Sequence, residues 1–261
     1  AFRRALEFDP ADATATQALD RLLGGAARWD DLADHLRFRI DNAAGTDAEF
    51  ELKHRLGVLL SEQLGEHERA IDVFEEIVVE RPNHQKTIES LEGLVTREAL
   101  RGRLTQILEP LYRAQDQWMK LVAVLEARVN LAEHPADQAP ILAEIGRLHE
   151  DRGSDPGRAF VAWTRAFVCD PQDDAARGEV DRLAGLLEAW DALIAAYEEA
   201  LRKSDDPMLG SRLLGVIARV HDERRGDPRS AIETYERYVA VAQQEDPGAA
   251  QRVRDTITRL Q

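Results

Sequence analysis

AIDVFEEIVVERP (Ala70–Pro82) and AFVAWTRAFVCDP (Ala159–Pro171) are two versions of one phrase. Each places an Ala four residues before an aromatic and a Pro eight residues after it. Self-similarity at a fixed distance is the mark of a repeat architecture. Phe2 and Pro10 stand 72 residues before Phe74 and Pro82. Trp118 and Trp190 are also 72 apart, as are Trp163 and Tyr235, Ile145 and Ile217, and Trp29 and Arg101. Phe74 to Trp163 is 89, which is one period plus 17. The period is therefore 72, with a 17-residue insertion within 97–117.

The local pattern is helical. RLGVLLSEQLG (Arg55–Gly65) and RAIDVFEEIVV (Arg69–Val79) space their apolar residues at three and four, not two. Gly65 stands where a helix C-cap needs it. Pro82 and Pro171 follow helix ends, so Asn83 and Gln172 are expected to open the next segments. Each period then holds four helices of roughly 12–18 residues, paired into two hairpins. One hairpin cannot bury its apolar stripe alone, so neighbours must stack. The expected fold is all-α: a right-handed α-solenoid of about fifteen antiparallel helices.

These phrases resemble the tetratricopeptide repeat, which uses Leu-Gly in the first helix and Ala-x3-Phe then Pro in the second. Leu56-Gly57 with Ala70, Phe74 and Pro82 fits, as does Ile145-Gly146 with Ala159, Trp163 and Pro171. Ile217-Ala218 with Ala231 and Tyr235 fits with its Pro displaced to Pro247. Alternate hairpins depart from the pattern: they keep ALDRLL (Ala18–Leu23) and EVDRLA (Glu179–Ala184), and their Trp falls in the second helix. HEAT-like and Sel1-like helical repeats are the alternatives. The inserted EALRGRLTQILEPLYRA (Glu98–Ala114) breaks the two-helix parity, and Pro110 is expected to kink it or begin a new turn. The expected organisation is an N-terminal lobe at 1–96, an odd helix at 97–117 that either bends the path or packs as one more helix without a bend, and a C-terminal lobe at 118–261.

Composition narrows the function. The chain is 44% hydrophobic and 32% charged, as a globular protein is, and its formal charge is −15. That balance speaks against nucleic acid and against an anionic membrane surface, and favours basic or polar partners. No apolar run approaches a membrane span. One cysteine, Cys169, makes no internal disulfide, so redox does not fix the compartment. A soluble, cytoplasmic location is favoured. The opening AFRRALEFDP (Ala1–Pro10) begins inside a motif, so the chain is expected to be a segment of a longer array with any targeting signal upstream.

Nothing in the chain spells catalysis. His149 and His221 share one repeat position with Leu60, which makes that position a packing slot rather than a metal ligand. Adjacent acids such as Glu75-Glu76 point about 100° apart on a helix and form no carboxylate dyad. Cys169 aligns with Phe8 and Glu80 and is expected to be inert. No phosphate loop or nucleophile elbow is present, and no cofactor is expected. Trp29, Trp118 and Trp190 begin helices and are expected to pack between hairpins.

One constellation stands apart. The resemblance implies that first helices line a concave face on which extended peptides bind. The residues facing it are Arg21, Val58, Gly93, Arg147, Arg182 and Arg219, four of the six being Arg. Glu150 and Asp222 lie beside them on the same helices. Arg offers bidentate contacts to carboxylates and carbonyls. Two readings stay open: an Arg-lined groove for an acidic or polar peptide, or an internal ladder of Arg–acid pairs. With only Lys53, Lys86, Lys120 and Lys203 as lysines, the Lys/Asn carboxylate clamp of chaperone-type relatives is not visible. The expected function is a non-catalytic protein-interaction scaffold for a protein or peptide partner. The alternatives are a self-assembling solenoid, joined through apolar ends at Phe2, Phe8 and Leu260, or a regulatory repeat region of a larger protein.

Overall fold

The computed structural model describes residues 2–9 and 12–261, with the side chains at 3, 5, 7, 244 and 245 set aside; Pro10 lies outside the described residues. The described residues form helices and short connections, divided into two compact units, 1–117 and 118–261. The first holds α1 (Phe2–Phe8), α2 (Ala13–Gly25), α3 (Trp29–Asn42), α4 (Asp47–Glu62), α5 (His67–Glu80), α6 (Gln85–Leu94) and α7 (Glu98–Ala114). The second holds α8 (Trp118–Leu131), α9 (Pro135–Asp151), α10 (Pro156–Cys169), α11 (Asp174–Leu187), α12 (Trp190–Lys203), α13 (Pro207–Arg219), α14 (Pro228–Glu245) and α15 (Pro247–Leu260). Val220–Arg224 continues α13 as a π-helical turn.

The repeat reaches down to single backbone bonds. Where α4, α9 and α13 turn into the next helix, the amides of Glu66, Asp155 and Asp227 donate to the carbonyls of Leu60, His149 and His221. Gly65, Ser154 and Gly226 hold positive φ at 68°, 48° and 60° in those turns. Before the Trp-led helices, Arg28, Gln117 and Ala189 donate to Leu23, Tyr112 and Ala184. Ala27, Asp116 and Glu188 are left-handed there, with φ of 52°, 54° and 53°. The geometry is that of a helix C-terminus closed by one αL residue, and only Gly is free of a Cβ penalty in it.

Asp supplies the starts. Asp12, Asp155, Asp173, Asp206, Asp227 and Asp246 each accept from amides in the first turn of the helix that follows. Such caps typically contribute about 1 kcal/mol each. Two helix starts differ from expectation: α6 opens at Gln85 after His84, without a side-chain cap, and α11 at Asp174 behind the cap Asp173. Pro247 is displaced because α14 has 18 residues against 14 in α10, one turn more, and Asp246-Pro247 then opens α15 directly.

α7 is continuous through Pro110. Pro110 and Gln106 are both exposed, so the carbonyl that loses its amide donor lies on the solvent side. α7 packs on α6 and α5 within the first unit, while α8 packs on α9 within the second. At the C-terminal end α15 lies on α14, and its Val253, Ile257 and Leu260 pack against Ala218, Ala231 and Tyr235. Leu260 is therefore half-buried rather than an open apolar end, whereas Phe8 is 89% exposed. Among the described residues no helix is long and apolar enough to cross a membrane.

Hairpins are joined by apolar packing with an ion-pair fringe of one direction. Asp20 on α2 takes Arg55 on α4 at 2.6 Å, and Glu51 on α4 takes Lys86 on α6 at 2.8 Å. Asp72 and Glu75 on α5 take Arg103 on α7 at 2.7 Å. In the second unit Glu126 takes Arg165, Asp174 takes Arg212 and Glu198 takes Arg237. The carboxylate sits on the earlier helix each time. Such exposed pairs contribute about 0–1 kcal/mol each, so the apolar core carries the stacking.

Candidate functional site

The first-helix face of the first unit carries a cleft of about 580 Å³ between α4 and α6. Its floor is Phe74, which reaches it from α5 because Gly57 leaves room for the ring. Its walls include His54, Val58, Ser61 and Glu62 from α4, and Lys86, Glu89, Ser90 and Gly93 from α6. Thr96 and Arg97 also line it.

Polar order in the cleft is local. His54 Nε2 and Ser90 Oγ are 3.1 Å apart, and the Ser90 hydroxyl donates to the Lys86 carbonyl at 3.0 Å. Burial pushes the His54 imidazole below its ordinary pKa, which keeps it neutral near pH 7. Its ring centroid lies 5.8 Å from those of Phe74 and His84. Lys86 is held by Glu51, and Glu89 accepts from the Gln85 amide at 3.0 Å. A Cβ built on Gly93 would meet no atom within 4 Å, so the wall there is open.

Of the six positions expected to face a concave surface, Val58 and Gly93 line this cleft; the four arginines fall elsewhere, and the structure divides them. Arg182 on α11 is clamped by Glu150 on α9 and by Glu179 on its own helix, both at 2.6 Å, and the two carboxylates raise its pKa. Among the described residues, Arg182 is the one of the four arginines paired with an acid on a neighbouring first helix. Arg147 is exposed on α9, its guanidinium carbon 5.4 Å from the Trp163 ring. Arg219 is exposed at the end of α13, with Nε donating to the Gly215 carbonyl at 3.4 Å. Asp222 lies in the π turn, half-buried, and with Glu223 it pushes the Tyr235 hydroxyl up after burial has done so. Arg21 is exposed on α2.

The residue one place before Arg21, Gly93 and Arg182 does what sequence reading missed. Asp20 accepts from Arg39 and Arg55; Glu92 accepts the Tyr112 hydroxyl at 2.7 Å; Asp181 accepts the Tyr197 hydroxyl at 2.5 Å. The signal was present in LDR (Leu19–Arg21), LEG (Leu91–Gly93) and VDR (Val180–Arg182), where the acid is the shared residue. These acids tie first helices to the helices that follow them. The packing slot of Leu60, His149 and His221 is also structural: Leu60 is buried, and Trp118 meets His149 edge-on at 6.1 Å. Cys169 is half-buried beside Gln138, and burial raises its thiol pKa. Among the described residues no three His, Cys, Asp or Glu side chains gather as a metal site would need.

The same turn bonds, left-handed residues and small–aromatic contacts recur at shifts of 72 and 89. The chain is a helical-repeat protein. No family model matches it, and no curated protein matches it. It is similar to a solved tetratricopeptide repeat protein from Parabacteroides merdae ATCC 43184, at 12% identity over 99% of this chain and 89% of that one, with a TM-score of 0.29. Within the first unit α4 packs on α6, and the cleft lies between them.

Proposed function

We propose that this helical-repeat protein is a non-catalytic protein-interaction scaffold that holds an extended segment of a protein partner on its first-helix face. The observation that carries the reading is the α4–α6 cleft: an aromatic floor at Phe74, open backbone at Gly93, and hydrogen-bonding groups at Ser61, Ser90 and Glu62. Such a mixture suits a peptide, whose main chain needs donors and acceptors while its side chains need pockets. In the second unit Arg147 and Arg219 are exposed and are proposed as further contacts, with Glu150 and Arg182 as their braced neighbours.

A random-peptide display selection on the whole chain tests this. It is run beside a Val58→Glu variant and beside a triple variant with Arg147, Arg182 and Arg219 changed to Glu. The expected result is a consensus on the native chain that at least one variant loses. A consensus kept by both variants, or none at all, overturns it.

Self-assembly is a second reading, and Phe8 favours it, being 89% exposed at the first-unit end. Sedimentation of the chain and of Phe8→Glu checks it. A mass that rises with concentration in the native chain alone would support it.

A further inference from the structure

We infer that the α4–α6 cleft takes a guanidinium side chain of the partner; this rests on the scaffold reading and names the chemistry recognised at that site. The argument comes from the chain's own second unit. A shift of 89 carries Val58 onto Arg147, Phe74 onto Trp163 and Gly93 onto Arg182. The buried frame around these positions matches: Leu56 and Ile145, Leu91 and Val180, Leu94 and Leu183 are all buried.

In the second unit two guanidinium groups occupy this place. One lies over the Trp163 ring, and the other sits between Glu150 and Glu179. In the first unit the same two positions are Val58 and Gly93, and the space is open. What one unit fills with its own arginines the other leaves to be filled.

The lining fits that occupant. Phe74 underlies the cleft at 1% exposure, so the rim groups rather than ring stacking hold the occupant. Ser61 and Ser90 stand where Glu150 and Glu179 hold Arg182, and the carboxylates of Glu62 and Glu89 line the same cleft. Lys86 is neutralised by Glu51, and His54 adds no charge near pH 7. That leaves Glu62 and Glu89 against Arg97, an acidic balance in a chain whose net charge is −15. Charge steers a basic partner to such a site, and geometry selects Arg over Lys.

The experiment is the display selection repeated on Gly93→Arg and on the double variant Glu62→Gln/Glu89→Gln. Nothing lies within 4 Å of a Cβ at Gly93, so an Arg there has room to enter the cleft as Arg182 does in its own unit. The expected result is a consensus with one fixed Arg, weakened at least about tenfold by each variant. Thermal melts accompany it; where Gly93→Arg melts lower, the Gln pair decides. A consensus without a basic residue that Gly93→Arg still abolishes overturns the guanidinium inference and leaves the scaffold reading standing. A consensus indifferent to both variants overturns the inference by placing binding elsewhere, and the absence of any consensus overturns the inference and the scaffold reading together.

Discussion

Gly146 lies so close under Trp163 that a Cβ there would sit 2.6 Å from the indole Nε1. Gly57 and Phe74 repeat the relationship in the first unit. Both aromatic rings are buried, at 5% and 1% exposure, and neither can retreat without opening the core. Gly146→Ala and Gly57→Ala are therefore expected to destabilise the chain by about 1–3 kcal/mol through overpacking. Gly93→Ala, also on a first helix but with open space, is expected to stabilise by about 0.5–1 kcal/mol through helix propensity. Urea unfolding of the three variants checks the contrast; equal effects would mean that packing does not select the glycines.

The left-handed turns give a second test. Ala27, Ser154 and Glu188 hold φ near +50° without being glycine. A Cβ in that conformation costs about 1–2 kcal/mol. Ala27→Gly, Ser154→Gly and Glu188→Gly should each raise the melting temperature, while Gly65→Ala, at φ 68°, should lower it. Differential scanning calorimetry reads both signs.

Stability should fall on acidification through histidine. Burial holds His149 and His221 below the ordinary value of 6.5, so the folded chain binds fewer protons than the unfolded chain as pH drops past that value. Unfolding takes up protons, and stability is lost from about pH 6.5 downward. His149 Nδ1 and His221 Nδ1 are buried without a hydrogen-bond partner among the described residues. Leu60 shows what the slot accepts. His149→Leu and His221→Leu should each stabilise by about 1 kcal/mol and flatten the acid limb of a denaturation-versus-pH curve. An unchanged limb would locate the titration elsewhere.

The alkaline side belongs to tyrosine. Tyr197 is fully buried and donates to Asp181 at 2.5 Å; burial first, then that carboxylate, push its hydroxyl far above the ordinary 10.0. Tyr112 is raised in the same way by burial and Glu92. Above pH 10 the unfolded chain loses these protons and the folded chain keeps them, so stability declines as pH rises. Tyr197→Phe should cost about 1–3 kcal/mol at pH 7, since Asp181 loses its donor, and should make the decline shallower. Phenolate absorbance followed beside unfolding against pH checks this: ionisation that coincides with unfolding supports it, and ionisation of the folded chain near the ordinary tyrosine value would contradict it.

Local pattern was enough for much of this. Periods of three and four in Arg55–Gly65 and Arg69–Val79 declare helices because a helix repeats within a few residues. The 72-residue spacing of Trp, Phe and Ile declares stacking because each hairpin must cover its neighbour's apolar stripe. Gly57 and Gly146 announce the close approach, since only a missing Cβ permits it. Ala27 and Glu188, by contrast, bear no mark of their left-handed backbone; the turn bonds of Arg28 and Ala189 impose it. Nor does the sequence say that Leu260 is covered, because the cover is a cluster on α13 and α14.

The six recurring positions expected to face one side divide most clearly. The sequence by itself determined that Arg21, Val58, Gly93, Arg147, Arg182 and Arg219 recur at matching places, because recurrence is a property of spacing. Only the tertiary structure decided what each place holds. Arg182 is spent on Glu150 because α9 and α11 bring a carboxylate within 2.6 Å of its guanidinium, and Gly93 is open because nothing on the elements around it reaches within 4 Å. Whether a position is filled or free depends on side chains that lie some thirty residues away along the chain, and so it is written in the packing and not in the pattern.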